Sequence, residues 1–117
     1  MSFEYFYKTQ SDMYSFIRIP KAMMTEDVFL PLSIQSKLLL YGLLLDRMSV
    51  SVKNKWIDKE GKVYVIYKIE DICSDMGTSK SNAVKYVNEL CDMGLVEKVQ
   101  RGMGMPNLLY VKNFALA

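Results

Sequence analysis

The stretch from Ile69 to Met93, IEDICSDMGTSKSNAVKYVNELCDM, constrains this chain most, because it reads as two helices folded over a tight corner at Gly77-Thr78. In the first helix, Ile69, Ile72, Cys73 and Met76 recur every three or four residues and define one apolar face. Gly77 ends it. Thr78 or Ser79 can accept a hydrogen bond from the first free backbone N–H groups of the second helix, whose apolar face is Ala83, Val84, Val87, Leu90 and Cys91. The other side carries Ser81, Asn82, Lys85 and Glu89, flanked by Tyr86, Asn88 and Asp92, and is uncharged or basic in its N-terminal half. A helix whose first turns lie against phosphates and base edges needs such a surface.

At 117 residues, half of them hydrophobic and about a quarter charged, the chain suits one ordinary domain with one core. A net charge of +2 is poor support for a nucleic-acid partner, so only local clustering of charge can argue for one. The chain has no histidine, and its two cysteines, Cys73 and Cys91, fall on the apolar helix faces. A zinc site of the usual Cys/His kind therefore lacks ligands, and both thiols are expected to act as buried small hydrophobes in a reducing cytosol. No cofactor is expected. No stretch approaches a membrane span, so the expected setting is cytoplasmic.

Residues 1–20 are read as an N-terminal arm and strand. MSFEYFYK is dense in aromatics and too short for a core, so it is expected to cover its own domain or a second copy of it. Met13 to Ile19 reads as a short strand ended by Pro20, and Lys21 to Phe29 as a weak helical turn or loop. Pro31 and Ser33 announce a leucine-rich core helix over 33–48. Its stripe is taken as Ile34, Leu38, Tyr41, Leu45 and Met48, and an apolar arc this wide leaves room for a subunit contact. Residues 54–67 change to period two around Asp58-Lys59-Glu60-Gly61, which predicts a β-hairpin leading into the helix-turn-helix at 68–93.

After Gly94, the segment 95–112 reads as a second hairpin, with strands around Leu95–Arg101 and Leu108–Lys112 and a tip at Gly102–Asn107. The expected fold is therefore α+β, a winged helix-turn-helix with an aromatic N-terminal arm and strand, a leucine-rich core helix and two β-hairpins. From Gly77 onward the basic residues Lys80, Lys85, Lys98, Arg101 and Lys112 outnumber the acids Glu89, Asp92 and Glu97, which gives a weakly basic face. The candidate DNA-binding residues are Thr78, Ser79, Lys80, Ser81, Asn82, Lys85, Tyr86, Lys98, Arg101 and Asn107. Lys98 and Lys112 are placed to touch the DNA backbone nearby.

Three quoted stretches together carry a resemblance: SKLLLYGLLLDRMSVS, YKIEDICSDMGTSKSNAVKYVNELCDMGLVEK and GMGMPNLLYVKNF. They are similar to the N-terminal domain of RepA_N-type plasmid replication initiators of Gram-positive bacteria, of the kind found on staphylococcal plasmids, over about Phe3 to Phe114. The resemblance implies binding of double-stranded DNA at repeats in a plasmid origin. It also implies that the chain is part of a longer initiator, whose C-terminal domain meets host replication proteins. One module of this size is small for strong selectivity, so a homodimer on repeated or symmetric sites is expected. Higher assembly pairing two DNAs fits initiators as a class.

Two other classes of binding function fit the same shape. A module similar to the DnaD-type replication-restart proteins would oligomerise and bind DNA feebly, whereas a small-ligand regulator would need an internal polar pocket. An enzyme is not expected, because the carboxylates are dispersed and no catalytic spacing is recognisable.

Overall fold

The computed structural model describes residues 2–5, 7, 16–51 and 53–113. Pro20 opens a short helix α1 (Ala22–Thr25), and a 3₁₀ turn (Asp27–Phe29) follows it, together burying Met23 and Phe29. The helical turn expected between Lys21 and Phe29 is therefore present. The strand expected over Met13 to Ile19 is not seen in its described part, Phe16 to Ile19, and Met13 to Ser15 lie outside the described residues.

The leucine-rich helix α2 covers 34–48 as one continuous rod, helical over Ile34–Leu38 and Leu45–Met48 and hydrogen-bonded in the wider π pattern over Leu39–Leu44. Ser33 caps it, its Oγ accepting from the Ser36 N–H at 3.2 Å. The core face differs from the expected stripe. Leu39, Leu40 and Leu44 are fully buried, Leu38, Leu45 and Met48 are half-buried, and Ile34 is largely exposed. A helix apolar all round gives periodicity no face to choose. The choice falls to Ser36, fully buried on the core side, where its hydroxyl donates to Glu89 Oε2 at 2.9 Å.

The segment expected as a hairpin over 54–67 is a short one, paired between 56–58 and 62–64 around a tight turn. Ile57 and Val63 form its bridge, flanked by backbone bonds from the Asp58 N–H to the Lys62 carbonyl (3.0 Å) and from the Tyr64 N–H to the Trp56 carbonyl (3.1 Å), while the Asp58 carboxylate accepts from the N–H groups of Glu60 (2.9 Å) and Lys62 (2.8 Å). This side-chain turn takes donors that a ladder would use. The strand that follows, β1 (Val65–Ile66), pairs instead with a distant partner.

Helix α3 (Ile69–Met76) ends at Gly77, whose φ of 63° is a left-handed conformation that glycine adopts without cost. The Thr78 N–H then reaches back to the Cys73 carbonyl at 3.1 Å, closing the corner. Helix α4 (Lys80–Met93) starts on Ser79, whose Oγ accepts from the Asn82 N–H at 3.3 Å, and stops at Gly94. Strands β2 (Val96–Val99) and β3 (Leu108–Val111) form an antiparallel hairpin, and β1 joins the far edge of β3 to give the order β1-β3-β2. Val65 faces Leu109 and Ile66 faces Leu108, while Val96 faces Val111 and Val99 faces Leu108.

One core results. Leu39, Leu40 and Leu44 of α2 meet Ile72 of α3, Ala83, Val87 and Leu90 of α4, and Val65, Val96 and Leu109 of the sheet. Between α2 and α3, Arg47 lies over the Tyr67 ring at 4.0 Å from its centroid and donates to the Ile66 carbonyl at 3.3 Å. Tyr67 Oη in turn donates to Asp75, and burial together with that carboxylate pushes the phenol well above its ordinary pKa. Both cysteines are free and half-buried at the core's edge, more open than the full burial expected of them. Burial and Asp92 raise the Cys91 thiol pKa, against the opposing charge of Lys98.

Candidate nucleic-acid interface

Capping by Ser79 directs the first turn of α4 outward. Ser79, Lys80, Ser81, Asn82 and Lys85 are all exposed, and the Ser79 and Ser81 hydroxyls lie 3.3 Å apart beside the helix start. The unpaired N–H groups of that turn and the positive end of the helix dipole add to the lysine charges. All five surround the exposed N-terminal turns of the helix.

The other candidates are placed differently. Thr78 is half-buried, with its N–H held in the corner. Tyr86 is half-buried against the core, on the side of α4 that faces α2, and Ser36 Oγ approaches its carbonyl at 3.4 Å. Glu89, expected on the polar face, turns to α2 as well, accepting from Ser33 N (3.3 Å), Ser33 Oγ (3.2 Å) and Ser36 Oγ (2.9 Å). Its negative charge therefore sits on the N-terminus of α2 and away from the exposed first turns of α4.

On the opposite side of α4 a cleft of about 470 Å³ opens between that helix, the start of α3 and the β2–β3 hairpin. Lys80, Val84 and Asn88, spaced four residues apart, line one wall. Lys98 and the tip from Gly104 to Asn107 line the other, and Lys68 and Glu70 close the end. Val84, expected in the core, is instead part of this wall and partly exposed. Lys98 Nζ reaches Asn88 Oδ1 across the cleft at 3.5 Å. Three ammonium groups (Lys68, Lys80, Lys98) thus face the cleft with a single carboxylate, Glu70.

Arg101 is half-buried, its Nε donating to the Pro106 carbonyl at 3.0 Å, so it clamps the base of the tip. Asn107, half-buried, lines the cleft beside it. Lys112 lies at the other end of the hairpin in a loose, exposed pair with Glu97 at 3.8 Å. Reading the sequence missed Lys68 and Asn88. The spacing of residues 80, 84 and 88 carried the signal for Asn88, while Lys68 reaches the cleft as the residue that precedes α3.

Among the described residues no group of three or more histidine, cysteine, aspartate or glutamate side chains is placed to hold a metal ion. No described helix is long and apolar enough to cross a membrane.

Comparison with known proteins gives a consistent grouping. A curated relative, a 41 kDa protein of Lactobacillus helveticus, is 30% identical over 99 residues, which is 85% of this chain but 28% of the relative. The chain therefore spans little more than a quarter of that protein. Three solved structures are similar: an N-terminal domain of a DNA-binding protein (28% identity, TM-score 0.76, 96% of this chain and 85% of that one), a Rep–DNA complex (29%, 0.76, 94% and 84%) and an MDR initiator (28%, 0.74, 94% and 86%). The family model for the N-terminus of replication initiator protein A (RepA) matches residues 15–117. That match spans most of the chain, which therefore belongs to the family of RepA N-terminal domains, RepA_N.

Proposed function

We propose that this chain is the double-stranded-DNA-binding module of a plasmid replication initiator, a winged helix that recognises repeated sequences in the origin and has no catalytic role of its own. The observation that carries the reading is the exposed polar and basic first half of α4, with the carboxylate of Glu89 drawn away to α2. The similarity to a protein solved in a Rep–DNA complex supports it. In this reading α4 enters the major groove, Asn82 pairs bidentately with adenine, and Ser81 and Lys85 meet neighbouring base edges or phosphates. Lys68, Lys80 and Lys98 hold one DNA backbone along the cleft, and the β2–β3 hairpin is the wing. Tyr86 orients α4 from the core side.

Binding is tested on DNA flanking the chain's coding region, with random-sequence competitor. Lys85→Ala should cost about 1–3 kcal/mol and relax preference at one position where it reads a base, or weaken all sequences alike where it holds a phosphate. Equal affinity of the wild type and a Lys80→Ala/Lys85→Ala variant for repeat DNA would overturn the reading.

A homodimer is part of this proposal. Phe3 and Tyr5 are 88% and 84% exposed, and Phe16, Val28, Leu30 and Ile34 also present large apolar side chains to solvent. Among the described apolar side chains of the leucine helix, Ile34 is the one exposed to that extent. Sedimentation as a monomer at micromolar concentration, both free and on DNA, would refute this part. In the same proposal, contacts with host replication proteins belong to the remainder of a longer initiator.

A further inference from the structure

The β2–β3 tip has a chemistry that the lysine-lined cleft does not share. From Gly102 to Asn107 it carries no charge, and its most prominent side chains are two methionines, Met103 and Met105, 103% and 53% exposed. The Met105 N–H bonds to the Gly102 carbonyl at 3.2 Å, and Gly104 has φ of 82°. These are the marks of a type II turn with Met103 at its first central position, the outermost corner. Arg101 Nε on the Pro106 carbonyl fixes the base of the turn, so the tip is held and Met103 projects from it. Gly102 has open space where a Cβ would be and no left-handed φ to require glycine, and its lack of a side chain keeps the tip slim.

We infer that Met103 is an apolar wedge, inserted by the tip into the minor groove to unstack one base step. The inference rests on the DNA-binding reading above. Gly104 to Asn107 form the cleft wall opposite Lys80, Val84 and Asn88, so a duplex lying on α4 meets the tip. The minor groove is about 6 Å wide, a width that favours a tip flanked by glycines. Apolar side chains, methionine among them, unstack and kink such steps, and flexible pyrimidine–purine steps yield most readily. The unbranched thioether adapts to an irregular gap between bases. A tip made only to hold phosphates would carry lysine or arginine where this one carries methionine.

The test uses duplexes selected from a random pool by the wild-type chain, with 2-aminopurine moved stepwise along the selected sequence. The wild type should raise the fluorescence at one step. Met103→Ala should abolish that rise while keeping affinity within about tenfold, since the cost of unstacking and the contacts it permits largely offset each other. Met103→Leu should retain the rise. Because Met103 is fully exposed, thermal melting of the alanine variant should be unchanged and its Lys85-dependent binding intact. A rise that survives in Met103→Ala, or a wild type that binds the selected duplexes with no rise at any step, overturns the wedge and leaves DNA binding standing. A wild type that enriches no duplex from the pool overturns both readings.

Discussion

Glu89 lies on the polar side of α4, where a solvated carboxylate is the simplest expectation, yet it accepts three hydrogen bonds from Ser33 and Ser36 at the start of α2. It thereby satisfies free donors of one helix, meets the positive end of that helix, and fixes the position of the helix that carries it. Glu89→Ala should therefore destabilise the domain by about 1–3 kcal/mol, the range for leaving buried donors without a charged acceptor. Urea unfolding measures it, and a change within a few tenths of a kcal/mol would refute the role. Ser33 was legible as a cap from its place before the helix. Its partner 56 residues away was not, because nothing local marks a contact at that separation. Asp58 offers a test by pH. Its partial desolvation pushes the pKa up, but the N–H of Lys62, the Tyr110 hydroxyl, the N–H of Glu60 and the charge of Lys62 together hold it below the ordinary carboxylate value. A folded pKa below the unfolded one means a contribution present above the unfolded value and lost as pH falls through the folded one. The Asp58 carboxyl should accordingly titrate below its ordinary value of about 3.9 by NMR, with the Glu60 and Lys62 amides losing protection only in that acid range. Titration at or above the ordinary value would show that the side-chain turn is not formed in solution.

Elements set by local chemistry were legible, and elements set by distant pairing were not. Gly77, Ser79 and Gly94 punctuate α3 and α4 as read, since caps act over a few residues. The 54–67 hairpin is shorter than its alternation suggests, because Val65 and Ile66 pair with β3 and the Asp58 carboxylate takes the Lys62 N–H at the turn. For α2 the length was legible and the face was not. The outer side of α2 has its own constraint at Gly42, where an added Cβ would run into Ile17 Cγ2 and come within 3.1 Å of Leu38 Cδ1. The segment around Ile17 crosses α2 at this notch. Gly42→Ala should gain helix propensity yet lose stability on balance, by about 1–3 kcal/mol, as overpacking does. Ile17→Ala added to it should recover part of the loss, because it vacates the space the methyl needs. Urea denaturation of the single and double variants measures both. A stabilising Gly42→Ala would mean that the segment does not dock there.

Across the whole molecule a formal charge of +2 conceals a partition. Lys68, Lys80 and Lys98 face the cleft with the one carboxylate of Glu70, whereas towards the hairpin's base the charges are paired, Lys62 with Glu60 and Lys112 with Glu97. Total charge could not reveal this, and the sequence hinted at it only through the excess of lysine after Gly77. If the cleft holds a phosphate backbone, each of its lysines releases counterions on binding, and log K against log salt steepens by about 0.9 per neutralised phosphate. Removing Lys68, Lys80 or Lys98 singly should then flatten the slope by about one unit each. Lys59, exposed in the loop that Asp58 and Tyr110 hold at the hairpin's base, is the control and should leave the slope unchanged. Fluorescence anisotropy across a salt series distinguishes the cases. Equal flattening by Lys59→Ala would mean that binding responds to net charge and not to the lysines aligned along the cleft, and Lys68 would then lose its place in the interface.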